Sequence, residues 1–394
     1  MMFRTADLLR GNDHQVSFFA MQDRRNVPCA ESQYFPRGRY YGAEHGVIRR
    51  ARDAGASIYS LEARSAIRRL LRDRRPDVAH LHNVYHQLTL SVIDELHAQH
   101  VPIVVTLHDY KPVCPSYVVY TDNRPCHRCV GGHPGHAIVH RCVKGSRVAS
   151  TIAAAEALLV RAWGQYGRVD AFIAPSRYLA SVMVDGGLPS DRIHMIPNFI
   201  ADRQFRSPRR PPERRKPMVL FVGRLEEVKG VRVLLSAARM VSSEIEIVVV
   251  GHGPLEHEVE RAAEEKAVRY LGSRGWDEIA TLMDQARAII VPSLWEENCP
   301  MVVLEAGARH CPVIASDRGG LLDLVDHELD GLLFPAGDVG ALATAIDRVG
   351  GEESLAGRLG DARYKRTLDE NAATAHLPAL LTAYRRASAV AVSR

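Results

Sequence analysis

Short apolar segments alternate with amphipathic ones along this 394-residue chain, and this alternation limits the possible folds more than any other feature. The candidate strands, all rich in Val, Ile and Leu, are residues 78–82, 102–108, 171–176, 193–197, 218–223, 246–251, 288–293, 312–317 and 331–335. Between them lie stretches with helical periodicity, such as 87–99, 231–242, 254–266 and 300–310. Apolar strands that alternate with helices are typical of parallel sheets covered on both faces. The sequence therefore predicts an α/β protein.

A basic, proline-rich segment divides the candidate strands into two series. Residues 203–217 (RQFRSPRRPPERRKP) hold four prolines and seven arginines or lysines. Such a segment cannot enter a hydrophobic core, so it is predicted to be an exposed linker between domains. We therefore expect a first domain at 1–204, a second domain at 205–370 and a terminal helix within 371–394.

The amino-terminal segment differs from the usual start of a doubly wound domain, which is a strand followed by a glycine-rich turn. Residues 2–9 have a helical pattern, and VSFFA (16–20) is predicted to be the next strand. No glycine-rich loop precedes the predicted helix. We therefore expect the first strand of this domain to be missing, either because translation starts further upstream or because the strand has been lost.

Two cations flank a predicted junction of strand and helix in FVGRLEEVKG (221–230). Arg224 follows the strand, and Lys229 lies at the start of the helix. Because the N-terminal end of a helix attracts anions, an added guanidinium and ammonium group suit a diphosphate. In the alternative interpretation, both are solvated surface cations balanced by Glu226 and Glu227.

An acidic pair lies further along the chain, within residues 291–308. Glu297 is in the loop after a strand, and Glu305 is inside a helix predicted to begin near Pro300. Proline fits the first turn of a helix, so the backbone N–H groups of Asn298–Pro300 can face a ligand. Glu305 can accept hydrogen bonds from two hydroxyls of a sugar or ribose, and Glu297 can contact a second sugar.

A glycine pair follows the next predicted strand. Gly319 and Gly320 begin another short helix, and their lack of side chains allows backbone N–H groups to approach a phosphate closely. By itself such a pair is equally typical of an ordinary turn.

These motifs stand in the order and spacing of glycosyltransferase family 4, which the sequence resembles over roughly residues 5–385. The matching pieces are GRLEEVKG, GHGPLE, the segment from Glu297 to Glu305, GGLLDLV, APSRYLA and IPNFI. The resemblance implies the GT-B fold, in which two Rossmann-like parallel-sheet domains face a cleft and the C-terminal helix crosses back to the first domain. It also implies retaining transfer of a hexose from a nucleotide-diphosphate sugar.

The resemblance further implies a role for individual residues. Arg224 and Lys229 would hold the donor diphosphate. Glu305 would hold the ribose and Glu297 the donor sugar. His108, at the end of a first-domain strand, would lie beside that sugar; without the family context it reads as a histidine at the core edge. The implied catalytic residues are His108, Arg224, Lys229 and Glu297, and the implied donor-binding residues are Gly223, Arg224, Lys229, Glu297, Asn298, Cys299, Pro300 and Glu305.

The residue types also indicate how transfer would proceed. Departure of a nucleoside diphosphate develops negative charge, which Arg224, Lys229 and the helix N-termini can stabilise. No DxD motif lies near these residues, so we expect no metal cofactor for catalysis. No side chain stands out as a nucleophile, and front-face attack by the acceptor hydroxyl is implied by the resemblance alone.

Four of the seven cysteines cluster in a predicted insertion at 112–146. Cys126 and Cys129 have zinc-knuckle spacing, and Cys114 and Cys142 would complete a tetrahedral site for structural zinc. The substitute ligands are His127, His133, His136 and His140. In a reducing cytoplasm clustered cysteines are more often metal ligands than disulfides, but free thiols and a redox-active disulfide remain open. As an insertion, this loop can shape the acceptor pocket.

Charge is uneven along the chain. Residues 1–200 carry 25 Lys and Arg against 17 Asp and Glu, whereas the remainder carries 26 against 29. The basic half indicates either an anionic partner, such as a membrane surface, or an arginine-rich solvated face. No pattern typical of nucleic-acid binding is present. Without an apolar run of about 18 residues or a secretory signal, we expect a cytoplasmic protein with peripheral contact at the inner face of the membrane.

Together these patterns predict a retaining hexosyltransferase of cell-surface polysaccharide biosynthesis. Its donor would be a UDP- or GDP-sugar, and its acceptor a glycan or a lipid-linked glycan. One alternative is a non-catalytic sugar-nucleotide-binding or partner protein with a truncated first domain. Another is a non-transferring enzyme of the same fold, such as a sugar-nucleotide epimerase.

Overall fold

Two parallel sheets, each covered by helices, form the framework of the molecule. The computed structural model describes residues 1–38, 55–205, 215–242 and 244–393. Most of the predicted linker at 203–217 therefore lies outside the described residues. The predicted α/β class with two Rossmann-like sheets is confirmed.

The first sheet has four parallel strands in the spatial order Ala79–His82, Ile103–Thr106, Ala171–Ala174 and Ile193–Met195. Each lies within a predicted strand. The two central strands, IVVT and AFIA, are buried at every position, as a sheet covered on both faces requires. The helices of this part are Met2–Arg10, Leu61–Asp73, Ser91–Ala98, His136–Val139, Arg147–Ala162 and Arg177–Asp185.

The predicted strand at 16–20 is wrong, because that segment has no strand hydrogen bonding. Its aromatic side chains pack against neighbouring aromatic rings instead. The ring of Phe18 lies 5.7 Å from that of Phe3, and the ring of Phe19 lies 6.1 Å from that of Phe35. The predicted helix at the start of the chain is present as Met2–Arg10.

The insertion at 112–146 has little regular structure. It contains a two-stranded antiparallel hairpin, Tyr120–Thr121 with Arg124–Pro125, and the single-turn helix His136–Val139. The rest consists of turns, and it leads directly into helix Arg147–Ala162, whose Ser146 side chain accepts a capping hydrogen bond.

The second sheet has six parallel strands. Their spatial order is Gly331–Phe334, Val313–Ser316, Ala286–Val291, Lys216–Val222, Glu246–Val250 and Arg269–Tyr270. The short strand Arg269–Tyr270 was not predicted. The helices of this part are Val231–Ala238, Glu256–Glu264, Trp276–Gln285, Met301–Gly307, Leu321–Leu324, Val339–Gly351 and Glu353–Asn371.

The last helix, Ala373–Val392, packs against the first sheet although it follows the second domain in sequence. Leu380, Ala383 and Ala387 form one small core with residues of the central strands of that sheet. The helix thus packs on one face of the first sheet. In the described part of the chain, no helix combines the length and the apolar character needed to cross a bilayer.

Candidate active site

The candidate site lies where the strand order of the second sheet reverses. Strands Lys216–Val222 and Ala286–Val291 are neighbours there, and the chain leaves them in opposite directions. Open α/β sheets bind ligands at this switch point, beyond the carboxyl ends of the strands. The two loops that follow these strands carry the residues singled out by the motifs. Gly230 (φ +71°) allows them to touch, because a Cβ there would lie 1.8 Å from the Pro292 carbonyl oxygen.

Lys229 and Glu297 form a close ion pair across these loops. The Lys229 Nζ lies 2.7 Å from the Glu297 Oε1, which also accepts a 2.6 Å hydrogen bond from the Ser293 hydroxyl. The Lys229 ammonium lies 4.9 Å from the ring centre of Trp295. The Glu297 side chain is only 5% exposed, whereas that of Lys229 is 26% exposed. Lys229 therefore neutralises a buried carboxylate and keeps one side open to the cleft.

Arg224 is placed differently. Its side chain is 74% exposed and forms a 2.5 Å ion pair with Glu226. This is the partner expected if Arg224 is a surface cation, and the structure does not bring its guanidinium into the Lys229–Glu297 contact. The preceding Gly223 ends the strand segment, and its carbonyl oxygen would lie 1.8 Å from a Cβ on Gly251. The GHGPLE segment (251–256) therefore packs against the loop that begins at Gly223.

Glu305 is bound by a cation from the first domain. Its carboxylate accepts a 3.0 Å hydrogen bond from the Arg4 guanidinium, which belongs to helix Met2–Arg10. The Glu305 side chain is 15% exposed. The other terminal nitrogen of Arg4, Nη1, is buried and makes no hydrogen bond to the described residues. Arg4 therefore occupies one oxygen of the Glu305 carboxylate, and a ligand hydroxyl would have to share this carboxylate with Arg4 or displace it.

The loop between the two glutamates joins the domains. Asn298 donates a 3.1 Å hydrogen bond to the Leu107 carbonyl oxygen and accepts one of 3.0 Å from the Ser176 hydroxyl. The Asn198 amide donates to the Cys299 carbonyl oxygen at 3.1 Å. Burial raises the pKa of the Cys299 thiol to about 12, so this thiol is uncharged. Asn298 and Cys299, both predicted to bind the sugar donor, therefore form contacts between the two domains.

Pro300 immediately precedes helix Met301–Gly307, which begins where the sequence predicted. The glycine pair supports the same acidic loop. The Gly320 N–H donates to the Glu297 carbonyl oxygen at 2.6 Å, and a Cβ on Gly319 would lie 2.4 Å from the same oxygen. Both glycines therefore allow the acidic loop to pack closely, and the predicted approach of backbone N–H groups to a phosphate stays a prediction.

Three first-domain histidines form a row that ends at His108. His82 Nδ1 lies 2.8 Å from His108 Nε2, and the His80 and His82 ring centres are 4.3 Å apart. His80 is hydrogen-bonded to Thr106 Oγ1 at 2.6 Å and to Tyr384 Oη at 2.8 Å. Burial is the main cause that lowers the pKa of His80 to about 3, of His82 to about 2 and of His108 to about 4. At neutral pH, His108 therefore brings a hydrogen-bonding group without a charge.

This row predicts a pH dependence of stability. The folded pKa values lie below the unfolded value of about 6.5, so the unfolded chain binds more protons between about pH 4 and pH 6.5. The free energy of unfolding should therefore rise with pH across that window and level off above it. His80→Gln should reduce the slope by up to about 1.4 kcal/mol per pH unit in urea denaturation. His257→Gln, at a 94% exposed side chain, is the control. Equal slopes for the wild type and His80→Gln would contradict this assignment.

Sequence reasoning missed several residues of this site. The histidines had a usable signal: His80 and His82 alternate with period two on a strand that pairs with the one leading to His108. Ser293 is the last residue of a predicted strand, and the sequence gives no sign that its hydroxyl binds Glu297. Arg4 has no local signal, because its contact with Glu305 spans 301 positions.

The four cysteines predicted to bind metal come together around one cavity in the insertion, and all four are free thiols. They are Cys114, Cys126, Cys129 and Cys142. This cavity lies in the first domain, and neither Lys229 nor Glu297 lines it.

Comparison with known proteins identifies the family. Residues 1–204 match the profile described as Glycosyltransferase Family 4, which covers more than half of the chain. Residues 216–350 match the profile described as Glycosyl transferases group 1. The chain therefore belongs to glycosyltransferase family 4.

Individual curated relatives match only parts of the chain. The amylovoran biosynthesis glycosyltransferase AmsK of Erwinia amylovora is 29% identical over 186 residues, which are 44% of this chain and 46% of that protein. The O-antigen chain mannosyltransferase C of Escherichia coli is 30% identical over 147 residues, which are 36% of this chain and 39% of that protein. The chain thus spans less than half the length of each of these relatives.

Solved structures extend the likeness to both domains. Sucrose-phosphate synthase from Thermosynechococcus elongatus superimposes with a TM-score of 0.71 over 98% of this chain and 92% of that chain, at 20% identity. Anabaena HepE in complex with UDP and glucose gives a TM-score of 0.59 over 81% of this chain and 80% of that chain, at 17% identity. At these identities the likeness establishes the fold, which is GT-B.

Proposed function

We propose that this protein transfers a hexose from a UDP- or GDP-sugar to a glycan or lipid-linked glycan, with retention of anomeric configuration, in polysaccharide biosynthesis. The observation that carries the proposal is the Lys229–Glu297 pair at the switch point of the second sheet. It places a partly exposed ammonium beside a carboxylate, next to the loop that contacts the first domain. Support also comes from Anabaena HepE, which shares this fold and was solved with UDP-glucose.

In the proposed complex, each polar group has a separate task. Lys229 contacts the donor diphosphate and stabilises the charge that develops on the leaving group. Glu297 then exchanges part of its contact with Lys229 for a sugar hydroxyl, and Glu305 binds the ribose after Arg4 moves. Arg224, exposed at the same strand end, can turn toward the diphosphate. His108, neutral and held by His82, hydrogen-bonds the donor sugar.

Two further elements of the proposal concern mechanism and acceptor. We propose that the acceptor hydroxyl attacks from the face of the departing diphosphate, without a catalytic metal. We propose that the acceptor lies on an anionic membrane, which the exposed stretch 139–148 of the first domain would contact. This stretch holds Val139 and Val148, each more than 70% exposed, together with three basic residues and no acidic one. Such a surface suits peripheral contact with anionic lipids.

The proposed ribose contact predicts the effect of Glu305→Ala on nucleotide binding. Loss of a charge-assisted hydrogen-bond acceptor should weaken UDP or GDP binding roughly 10- to 150-fold. Isothermal titration calorimetry with the free nucleoside diphosphate measures this directly, because no sugar or acceptor is needed. Glu264→Ala, at an exposed position of helix Glu256–Glu264, is the matched control. Unchanged affinity in Glu305→Ala would remove Glu305 from the donor site.

Binding and turnover together separate the candidate functions. Nucleotide binding followed by release of UDP or GDP from a hexose donor, dependent on an acceptor, supports the transferase. Binding without turnover against glycan and vesicle-borne acceptors supports the non-catalytic alternative.

A further inference from the structure

We propose that the insertion at 112–146 binds one structural zinc ion. Its ligands are the thiolates of Cys114, Cys126, Cys129 and Cys142. All four side chains line one cavity, and two histidines, His136 and His140, complete its polar wall. Four cysteines around one small space are the usual ligand set of a closed, tetrahedral zinc site.

The backbone brings the cysteines together from separate segments. Cys126 follows the hairpin, and its N–H donates to the Val119 carbonyl oxygen at 2.7 Å. The Cys129 carbonyl oxygen accepts a 2.9 Å hydrogen bond from the Arg161 guanidinium, which lies in the helix after the insertion. The thiols are therefore held near each other by the fold of the insertion and by its contact with the rest of the domain.

The insertion has too small a core to fold by apolar burial alone. Within 112–146, all of which the structure describes, the buried apolar residues other than prolines are Val113, Cys114, Val119, Cys129 and Ala137, and two of these five are themselves proposed ligands. A unit of this size with so few buried side chains normally needs a disulfide or a metal ion. The cysteines occupy the position that a hydrophobic core would otherwise fill.

In this structure the thiols make weak polar contacts. The pairs are Cys114 Sγ with Ser116 Oγ at 3.3 Å, Cys142 Sγ with Thr121 Oγ1 at 3.7 Å, and Cys126 Sγ with Arg128 Nη1 at 3.7 Å. No three His, Cys, Asp or Glu side chains of the described residues are already arranged to hold a metal. Binding therefore requires the thiols to rotate into their shared cavity and to release their protons. The Arg128 guanidinium offsets part of the resulting negative charge.

The metal site would also fix a contact between the insertion and the donor-binding domain. His127 lies between two of the ligands, and its Nε2 is 3.3 Å from the Tyr178 hydroxyl. Tyr178 also lies near the carboxylate of Glu296, the neighbour of Glu297, and burial together with this carboxylate raises the pKa of the Tyr178 hydroxyl. Zinc would thereby hold His127 at the cleft. The role of His127 at the cleft rests on the proposed function, whereas zinc binding itself does not.

Metal analysis of the full chain, purified in a reducing buffer without a metal-affinity tag, tests the site. We expect about one zinc per chain. Replacement of zinc by Co²⁺ should give a thiolate-to-metal charge-transfer band and the visible bands of tetrahedral cobalt. Cys126→Ser and Cys129→Ser should each weaken zinc binding at least about tenfold. Cys29→Ser, outside the cluster, is the matched control and should keep its zinc.

Thiol counting of the wild-type chain keeps the test decisive if the serine variants do not fold. A mercurial reagent should release the zinc as it titrates the four thiols. A protein without zinc, with either four reactive thiols or a disulfide among them, would overturn the proposal. None of these measurements uses transferase activity, so a failure of the zinc site is distinct from a failure of the proposed function.

Discussion

Lys229→Ala should lower kcat/KM for the nucleotide-sugar donor roughly 10²- to 10³-fold, as removal of one preorganised donor to a developing charge does in other active sites. The side chain supplies an ammonium that is 26% exposed at the switch point of the second sheet. In the proposed transition state this ammonium stabilises the charge on the departing diphosphate. The measurement is release of UDP or GDP under steady-state conditions with the preferred donor.

The substitution also leaves the buried Glu297 carboxylate without its partner, so a loss of folding must be separated from a loss of catalysis. Lys229→Ala combined with Glu297→Gln removes that unpaired charge. Free UDP or GDP lacks the sugar that Glu297 is proposed to contact, so its binding does not depend on that contact. Weaker nucleotide binding in both the single and the double variant would therefore assign the loss of affinity to Lys229. Lys365→Ala, an exposed lysine in helix Glu353–Asn371, should behave as the wild type. Wild-type kinetics in Lys229→Ala would show that the ammonium does not act on the donor.

Arg363→Met should destabilise the folded protein by about 3–5 kcal/mol, because it breaks a buried ion pair and leaves polar groups unsatisfied. The Arg363 side chain is fully buried, and its guanidinium lies 3.0 Å from the Asp330 carboxylate. It also donates to the Leu324 carbonyl oxygen and, at 3.1 Å, to the Thr367 hydroxyl. Arg366 remains near Asp330, at 3.2 Å, and reduces the loss somewhat.

Urea denaturation followed by circular dichroism measures this effect, with Arg358→Met as the control on the same helix. Arg358 is exposed, so its substitution should change the free energy of unfolding by no more than about 0.5 kcal/mol. Arg363 also supports the helix that carries Glu305, because a Cβ on Gly307 would lie 3.1 Å from the Arg363 Nε. Nucleotide binding by Arg363→Met should therefore be weaker than that of the wild type even at urea concentrations below the unfolding midpoint, where the variant is still folded. Equal stability of the two variants would contradict the buried network.

The fold was predictable from local pattern, because buried parallel strands are short, apolar and separated by helices. The second sheet illustrates this: the runs before Gly223 and Pro292 are apolar, and the turns that follow contain the glycine and proline that such turns require. Segment 16–20 misled for the same reason. Its apolar aromatic side chains have the composition of a strand, but they are partly buried by ring packing and not by sheet pairing.

The site was predictable only in part. Spacing along the chain placed Lys229 and Glu297 near each other, since both follow neighbouring strands of one sheet. It did not reveal that Arg4 binds Glu305 or that Asn298 binds Leu107, because contacts between domains depend on how the two sheets face one another. Such contacts leave no periodic signal in a single sequence.

NMR observation of the anomeric proton during reaction of UDP- and GDP-hexoses with a lipid-linked glycan acceptor tests the proposed transfer most directly. At least one donor should be consumed, its anomeric configuration should persist in the new glycosidic bond, and Lys229→Ala should form the product roughly 10²- to 10³-fold more slowly. Donors that stay intact in the presence of every acceptor, or a product with inverted configuration, would contradict retaining transfer at this site.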